Sequence, residues 1–234
     1  MDRKLIASKI DHAILKPQYT YLELLNECEV AKKYNVASVC VKPSDVEFAR
    51  ELLANSEVKV CTVIGFPHGV TTTETKVAET EDVIKKGATE VDMVINIGRL
   101  MSNDYNYVKN DINKVVEVAH KNGVIIKVII ETSLIDDEHK AIACKLAEEA
   151  GADYVKTSTG FNGGGATLED IELMINSIDS TKVKVKASGG IKTYEQAVQF
   201  IEAGCSRLGT SALVAIMEDQ DYQDTYWFPK KKVS

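Results

Sequence analysis

The chain has 234 residues, 44% of them hydrophobic, and a formal net charge of −7 at pH 7. This length allows one domain of barrel size or two smaller domains. The acidic balance, with no basic face, excludes nucleic acid and anionic membrane surfaces as expected partners.

Cysteine usage and the N-terminus predict the compartment. The five cysteines are odd in number and show no C-x-x-C spacing, which is typical of a reducing cytoplasm. The N-terminal sequence MDRKLIASKIDH lacks an apolar core, and no run of about 18 apolar residues occurs, so neither a signal peptide nor a spanning helix is predicted. We therefore expect a cytoplasmic protein.

Eight β-rich runs recur along the chain, separated by segments of helical periodicity. In chain order, the runs are IDHAIL from 10, VASVCVK from 36, VKVCTVIGF from 58, EVDMVINI from 90, VIIKVIIE from 124, DYVKTS from 153, KVKVKAS from 182 and SRLGTS from 206. The helical segments include YLELLNECEVAKKY, TKVAETEDVIKKG, VKNDINKVVEVAHKNG, DEHKAIACKLAEEAG, LEDIELMINSI and TYEQAVQFIEAG. Their ends carry residues that tolerate a left-handed backbone: Asn35, Gly87, Gly123, Gly151 and Gly204.

Strict alternation of strand and helix indicates a parallel sheet, and eight units at this length predict a single-domain (β/α)₈ TIM barrel. We assign residues 1–217 to the barrel and 218–234 to a C-terminal tail. A doubly wound open sheet is the alternative, but no G-x-G-x-x-G turn follows the first strand. Because barrel enzymes carry their chemistry at the C-terminal ends of the strands, candidate residues are sought there.

Two lysines lie near the ends of neighbouring strands, Lys156 in YVKTSTG and Lys186 in VKASGG. Neighbouring strands are about 4.8 Å apart. Like charges at about 4 Å repel by roughly 4 kcal/mol at an effective dielectric near 20. Such repulsion lowers the pKa of one amine towards physiological pH, where a neutral amine attacks carbonyls to form a Schiff base. An isolated lysine at a strand end is usually just exposed, and we expect Lys182 and Lys184 to lie at the solvated rim.

Asp92 is a carboxylate inside the apolar strand EVDMVINI. It is either a structural partner of a buried lysine or a group that relays protons with Lys186. Asp11 and His12 in the first strand are weaker candidates of the same kind. Lys127 and Glu131 share a face of the fifth strand and are interpreted as a second buried pair.

Glycine-rich turns follow the last three strands. Each is ordinary when taken singly, but three in succession indicate a phosphate site, because glycine lets backbone N–H groups approach an oxyanion. A phosphorylated carbonyl compound is the substrate class suggested. The residues that would contact it are Thr159, Gly160, Gly189, Gly190, Lys192, Gly209 and Ser211.

Other chemistries have little support in the sequence. The four histidines have no metal-ligand spacing, so no metal is predicted. No P-loop, G-x-S-x-G elbow or RNA-binding signature occurs. Cys40 and Cys61 lie in apolar strands and are interpreted as packing residues.

Nearly the whole chain resembles the deoxyribose-phosphate aldolases, a class I aldolase family. The motifs are IDHAILKP, VASVCVKP, VIGFPHG, EVDMVINIG, KVIIETS, DYVKTSTGF and VKVKASGGIK, of which YVKTSTGF together with VKASGGI is highly specific. The resemblance implies reversible cleavage of 2-deoxy-D-ribose 5-phosphate to D-glyceraldehyde 3-phosphate and acetaldehyde, without metal or organic cofactor. A homodimer or homotetramer is a family expectation.

The resemblance also assigns roles. Lys156 matches the Schiff-base lysine, Lys186 the second lysine that perturbs it, and Asp92 the acidic partner in proton relay. Asp11 matches an acid near the substrate, and the glycine-turn residues match the phosphate site. Two positions depart from the common pattern, Ala13 where many members have Thr and Phe161 where some have Lys.

Three further expectations stay open at this stage. Another Schiff-base aldolase or a phosphate-binding isomerase on the same barrel fits the same residues. A non-catalytic sugar-phosphate binding protein would use the paired lysines as anion ligands. The tail carries Tyr222, Tyr226 and Trp227, which have the reach to approach the site of their own subunit.

Overall fold

The computed structural model of the protein describes residues 1–222 and contains a closed barrel of eight parallel strands. The strands are β1 (Ile10–Ile14), β2 (Ser38–Val41), β3 (Lys59–Ile64), β4 (Glu90–Val94), β5 (Ile125–Ile129), β6 (Tyr154–Lys156), β7 (Lys184–Ser188) and β8 (Arg207–Thr210). Each strand pairs with its sequence neighbours, and β8 pairs with β1 to close the barrel. Each of the eight β-rich runs contains one strand, which confirms the predicted single-domain (β/α)₈ fold.

Ten α-helices accompany the strands in the described part of the chain. They are α1 (Arg3–Ala7), α2 (Tyr21–Tyr34), α3 (Val46–Leu53), α4 (Thr73–Lys86), α5 (Ile97–Met101), α6 (Tyr105–Lys121), α7 (Asp137–Glu149), α8 (Leu168–Asn176), α9 (Tyr194–Glu202) and α10 (Leu213–Glu218). None of them is long and apolar enough to cross a membrane.

Side-chain caps mark where several helices begin. Thr20 caps α2 by accepting from the Glu23 amide, and the Glu23 side chain accepts from the Thr20 amide in return. This reciprocal capping box satisfies two backbone donors that a helix start would otherwise leave unpaired. At the other end of α2, Asn35 has φ 51 and lets the chain turn into β2. The predicted helix ends at Asn35 and at the four glycines all have a left-handed backbone.

The hydrophobic core lies mainly between the barrel and the helices. Residues on the outward faces of the strands, such as Val91, Ile126 and Val155, are fully buried against the surrounding helices. The inside of the barrel is different, because charged side chains occupy several inward positions. Strand register places Asp92 opposite Lys127 and Lys156 opposite Lys186. The fold therefore brings charges from distant parts of the sequence together.

The C-terminal segment is described only as far as Tyr222. The predicted boundary at residue 218 therefore stays a prediction. The expectation that Tyr226 and Trp227 approach the site lies outside the described residues.

Candidate active site

A cavity of about 300 Å³ opens at the C-terminal ends of the strands, where the fold predicts the chemistry to be. Ten of the eleven sequence-predicted site residues line it: Asp11, Lys156, Thr159, Gly160, Lys186, Gly189, Gly190, Lys192, Gly209 and Ser211. The eleventh, Asp92, is fully buried behind Lys156 and Lys186.

Lys156 and Lys186 are register partners at the ends of β6 and β7. Both amines donate to the same carboxylate oxygen, Oδ2 of Asp92, at 2.8 Å from Lys156 and 2.7 Å from Lys186. The two nitrogens therefore lie within about 5.5 Å of each other, twice a hydrogen-bond length. The predicted proximity is correct, but a carboxylate bridges the two amines.

Lys186 is held as a cation by two carboxylates. Its amine lies 2.5 Å from Asp11 Oδ2, in addition to its contact with Asp92. Burial by itself disfavours the ammonium form, but the charges of Asp11 and Asp92 outweigh that cost and raise the pKa of Lys186 above its ordinary value. Lys186 therefore has the properties of a permanent local charge.

Asp92 stays ionised despite complete burial. Burial favours its protonated form, but the ammonium groups of Lys127, Lys156 and Lys186 hold its pKa well below the ordinary value. The other carboxylate oxygen, Oδ1, accepts from Lys127 at 2.9 Å and from the Cys61 thiol at 3.2 Å. Asp92 thus has an ordered partner on each side.

These contacts belong to a larger group that we call the ionic cluster. Its seven members are Asp11, Glu90, Asp92, Lys127, Lys156, Lys186 and Arg207. When all are ionised, four cations face three carboxylates, so the cluster holds one positive charge in excess. Losing one proton from one lysine would make the cluster neutral.

Lys156 is the lysine of the ionic cluster with the fewest carboxylate contacts. Within the described part of the chain its amine contacts one carboxylate, that of Asp92, through an oxygen shared with Lys186. Lys127, in contrast, lies 2.6 Å from Glu90, 2.9 Å from Asp92 and 3.5 Å from Asp11. Lys156 also lines the cavity, while Lys127 is fully buried below it. Lys156 is therefore the amine best placed to meet a carbonyl compound.

The glycine-rich turns lie side by side at the cavity wall. Gly189 and Gly190 both have a left-handed backbone, with φ 85 and 78. A Cβ on Gly165 would lie 2.5 Å from the Gly189 carbonyl oxygen, so only glycine allows the loops after β6 and β7 to touch. Ala166 N also donates to Gly189 O at 3.1 Å.

Tyr222 reaches this wall from the C-terminal segment. Its hydroxyl lies 2.9 Å from Ser211 Oγ, and the Lys192 amine lies 5.5 Å from the centre of its ring. Tyr222, the last residue that the structure describes, therefore contributes to the cavity wall of its own subunit.

The interpretation of Lys127 and Glu131 as a buried pair is wrong. Lys127 points into the barrel and contacts Glu90 and Asp92. Glu131 follows the end of β5 and accepts hydrogen bonds from Thr159 and Asn162. The two side chains separate because the backbone at Glu131 turns left-handed, with φ 53, which breaks the alternation of a strand.

Two members of the ionic cluster were not predicted, Glu90 and Arg207. Arg207 Nη1 lies 2.5 Å from Asp11 Oδ1 and 3.1 Å from Glu90 Oε2. One signal was present in the sequence, because Glu90 and Asp92 alternate on one face of a strand. The remaining lysines of the β7 run behave as expected, since Lys184 is exposed at the start of the strand and the Lys182 side chain is 68% exposed.

Cys40, Cys61 and Asp92 offer three possible metal-ligand atoms within 4.8 Å of one another. A cation there would compete with the three ammonium groups that already contact Asp92. These contacts favour the metal-free expectation.

The family profile described as DeoC/LacD family aldolase matches residues 1–218. The chain belongs to this family. It is therefore an enzyme of the lyase class.

Two relatives illustrate the likeness of the DeoC/LacD chain to proteins named deoxyribose-phosphate aldolase. The one from Clostridium perfringens SM101 is 54% identical over 226 residues, covering 97% of this chain and 100% of the relative. The one from Bacillus cytotoxicus is 55% identical over 223 residues, covering 94% and 99%.

A solved structure gives the same result for the fold. The deoxyribose phosphate aldolase from Aeropyrum pernix, described as having a unique tetrameric structure, superposes with a TM-score of 0.87 at 32% identity. The match covers 93% of this DeoC/LacD chain and 92% of that one.

Proposed function

We propose that the protein is a deoxyribose-phosphate aldolase that works through a Schiff base on Lys156. It would reversibly cleave 2-deoxy-D-ribose 5-phosphate to D-glyceraldehyde 3-phosphate and acetaldehyde. The observation that carries the proposal is the shared contact of Lys156 and Lys186 with Asp92 at the cavity. The names of the relatives support the substrate.

The first step is imine formation. The neutral amine of Lys156 attacks the C1 aldehyde of the open-chain sugar phosphate, and the carbinolamine loses water to give a protonated imine. Asp92 lies 2.8 Å from the Lys156 amine and is placed to exchange a proton with it. The cationic Lys186 amine can donate a proton to the carbinolamine hydroxyl, which leaves as water, and it regains a proton when the imine is hydrolysed.

Carbon–carbon cleavage follows. The C3 hydroxyl passes its proton to a water in relay with Asp92 and Lys186, the C2–C3 bond breaks, and its electron pair moves into the imine to form an enamine of acetaldehyde. Glyceraldehyde 3-phosphate leaves, C2 takes a proton, and water hydrolyses the imine to release acetaldehyde and restore Lys156. The protonated imine itself accepts the electrons, so the reaction needs neither a metal nor an organic cofactor.

The phosphate would bind at the glycine-rich wall, remote from the bond that breaks. Backbone N–H groups of Gly160, Gly189, Gly190 and Gly209, the Ser211 hydroxyl and the Lys192 amine are the proposed ligands. Thr159 and Asp11 complete the substrate contacts. Binding there would hold the aldehyde end near Lys156 and so lower the entropic cost of the reaction.

Ala13 and Phe161 shape the same cavity. Phe161 packs edge-on against Phe66, with 5.1 Å between ring centres, where some family members carry a lysine. Phosphate affinity would then depend on Lys192 and the backbone amides.

Borohydride trapping tests the chemistry. Reduction in the presence of acetaldehyde should leave a two-carbon adduct on Lys156, detected by mass spectrometry of the digested protein. Lys156→Ala should lose both the adduct and cleavage, while Lys145→Ala on the outer helix α7 serves as the matched control. An adduct on Lys186 alone, or full activity of Lys156→Ala, would contradict the mechanism.

Product analysis tests the substrate. Incubation with 2-deoxyribose 5-phosphate should yield equal amounts of acetaldehyde and glyceraldehyde 3-phosphate. Trapping of acetaldehyde without cleavage of this sugar would instead favour another Schiff-base aldolase. We place the reaction in cytoplasmic breakdown of deoxyribose phosphate from deoxyribonucleosides.

A further inference from the structure

Glu131 is a buried carboxylate with an unusual backbone. Its side chain is fully buried, and it forms no ion pair with any lysine, arginine or histidine among residues 1–222. Its backbone has φ 53 and ψ 67, a left-handed conformation that costs free energy for a residue with a long side chain. Strain of this kind persists where the surrounding contacts hold the residue in that conformation.

Among residues 1–222, the hydrogen bonds to the Glu131 carboxylate all come from one loop, residues 159–162. The Thr159 amide lies 3.2 Å from Oε1 and 3.3 Å from Oε2, and the Thr159 hydroxyl donates to Oε2 at 2.5 Å. Asn162 Nδ2 donates to Oε2 at 2.8 Å. The carboxylate therefore accepts hydrogen bonds from a backbone amide and from side chains at both ends of the loop.

This loop begins three residues after Lys156 and forms part of the cavity wall. Thr159, Gly160 and Phe161 line the cavity. The Phe161 amide donates to Thr159 Oγ1 at 3.1 Å, and Asn162 Nδ2 lies 3.3 Å from Pro67 O in the loop after β3. Gly160 thus lies between Thr159 and Asn162, which both donate hydrogen bonds to Glu131, so these bonds help to fix the position of the Gly160 amide.

We infer that Glu131 is a positioning residue that fixes the loop 159–162 at the phosphate side of the cavity. The inference rests on the proposed function for its substrate. Glu131 contacts the loop and not the ionic cluster, in which Asp92 orients the two lysines. Its loss should therefore weaken recognition of the phosphate end and leave the amine chemistry intact.

Glu131→Gln tests this role, with Glu138→Gln on the exposed face of α7 as the matched control. The amide replaces one acceptor oxygen by an NH₂ group that faces other donors, so at least one hydrogen bond is lost and one donor is left unpaired. We expect KM for 2-deoxyribose 5-phosphate to rise about tenfold. Cleavage of unphosphorylated 2-deoxyribose and acetaldehyde trapping on Lys156 should change by less than about twofold.

Hydrogen exchange supplies a readout that does not require activity. Peptides that cover residues 157–163 should exchange faster in Glu131→Gln than in the wild type or the control, because at least one of the hydrogen bonds that order the loop is lost. Asn162→Leu removes the side-chain donor to Glu131 Oε2 at a residue that does not line the cavity, and it should raise KM in the same way. The double variant should then be less than additive, since both changes break the same contact.

If Glu131→Gln impaired cleavage of the phosphorylated and the unphosphorylated sugar equally, the inference would be overturned. Unchanged hydrogen exchange of the loop in Glu131→Gln would also overturn it. If Glu131→Gln does not fold, Asn162→Leu decides between the same outcomes. A wild-type protein that neither traps acetaldehyde nor cleaves the sugar would contradict the proposed function instead. Hydrogen exchange of residues 157–163 would still test whether Glu131 orders the loop 159–162.

Discussion

At the scale of single residues, Asp92 has the most consequential position in the molecule. One oxygen contacts both candidate catalytic lysines, and the other contacts Lys127. A carboxylate so placed orients the two amines, and the proposed mechanism uses it to move a proton, which a neutral amide cannot do.

Asp92→Asn should therefore lower kcat for cleavage of 2-deoxyribose 5-phosphate by about 100-fold or more. Steady-state assay of the released aldehyde measures this. The control is Asp82→Asn, which removes an exposed ion pair with Lys86 and should have little effect. Wild-type kcat in Asp92→Asn would show that the carboxylate takes no part in proton transfer.

The ionic cluster also predicts how stability depends on pH. The pKa values of Asp11 and Asp92 lie below their ordinary value of 3.8, so their contribution is present above pH 3.8 and is lost as pH falls further. The pKa of Lys186 lies above 10.5, so its contribution is present below pH 10.5 and is lost as pH rises through the folded-state value.

Urea unfolding between pH 3 and 11 should thus show that these groups keep their full contribution to the free energy of unfolding in the middle of the range. The free energy of unfolding should fall at both ends. In Asp92→Asn the slope of unfolding free energy against pH on the acid side should be smaller, because one proton-binding group fewer differs between the folded and unfolded states. An identical acid slope in both proteins would contradict the assignment.

At the scale of elements, a second buried ion pair joins two helices away from the cavity. Lys76 of α4 is fully buried, with its amine 2.5 Å from Asp111 Oδ2 of α6 and 2.9 Å from Val94 O. Burial disfavours the ammonium form and lowers the pKa of Lys76, although Asp111 opposes the shift. The pair is costly to bury and still more costly to break.

Asp111→Ala should destabilise the protein by about 3–5 kcal/mol, because it leaves the Lys76 ammonium buried without its carboxylate. Chemical denaturation measures this loss, and KM of the folded fraction should stay near the wild-type value. The double variant Lys76→Met/Asp111→Leu removes both charges and should recover most of the stability. A double variant as unstable as Asp111→Ala would argue against an uncompensated charge as the cause.

Elements were predictable wherever a local pattern defines them. The alternation in KVKVKAS placed Lys182, Lys184 and Lys186 on one face, and burial increases along that face towards the cavity. The same reasoning failed for Lys127 and Glu131, because a left-handed residue after the strand ends the alternation. The Glu131 side chain accepts hydrogen bonds from Thr159 and Asn162, which lie 28 and 31 residues further along the sequence, and a local pattern does not contain such partners.

At the scale of the whole molecule, we expect a homodimer or homotetramer. The resemblance of the sequence to its family is the ground for this expectation. Sedimentation equilibrium at micromolar concentration should give two or four times the chain mass. A monomer across the concentration range would contradict it, and the active site described above would then have to work within one chain.

The sequence by itself determined the barrel and the candidate residues at its mouth. Periodicity, helix caps and glycine turns are local properties, so each is readable within a short segment. Only the tertiary structure decided which charges meet. Asp92 is separated from Lys156 by 64 residues and from Lys186 by 94, and their contacts follow from strand register around a closed barrel. A local pattern contains no information on the register between distant strands. For this reason only the tertiary structure showed that Asp92 bridges the two lysines, that Glu90 and Arg207 join the ionic cluster, and that Glu131 contacts the loop 159–162.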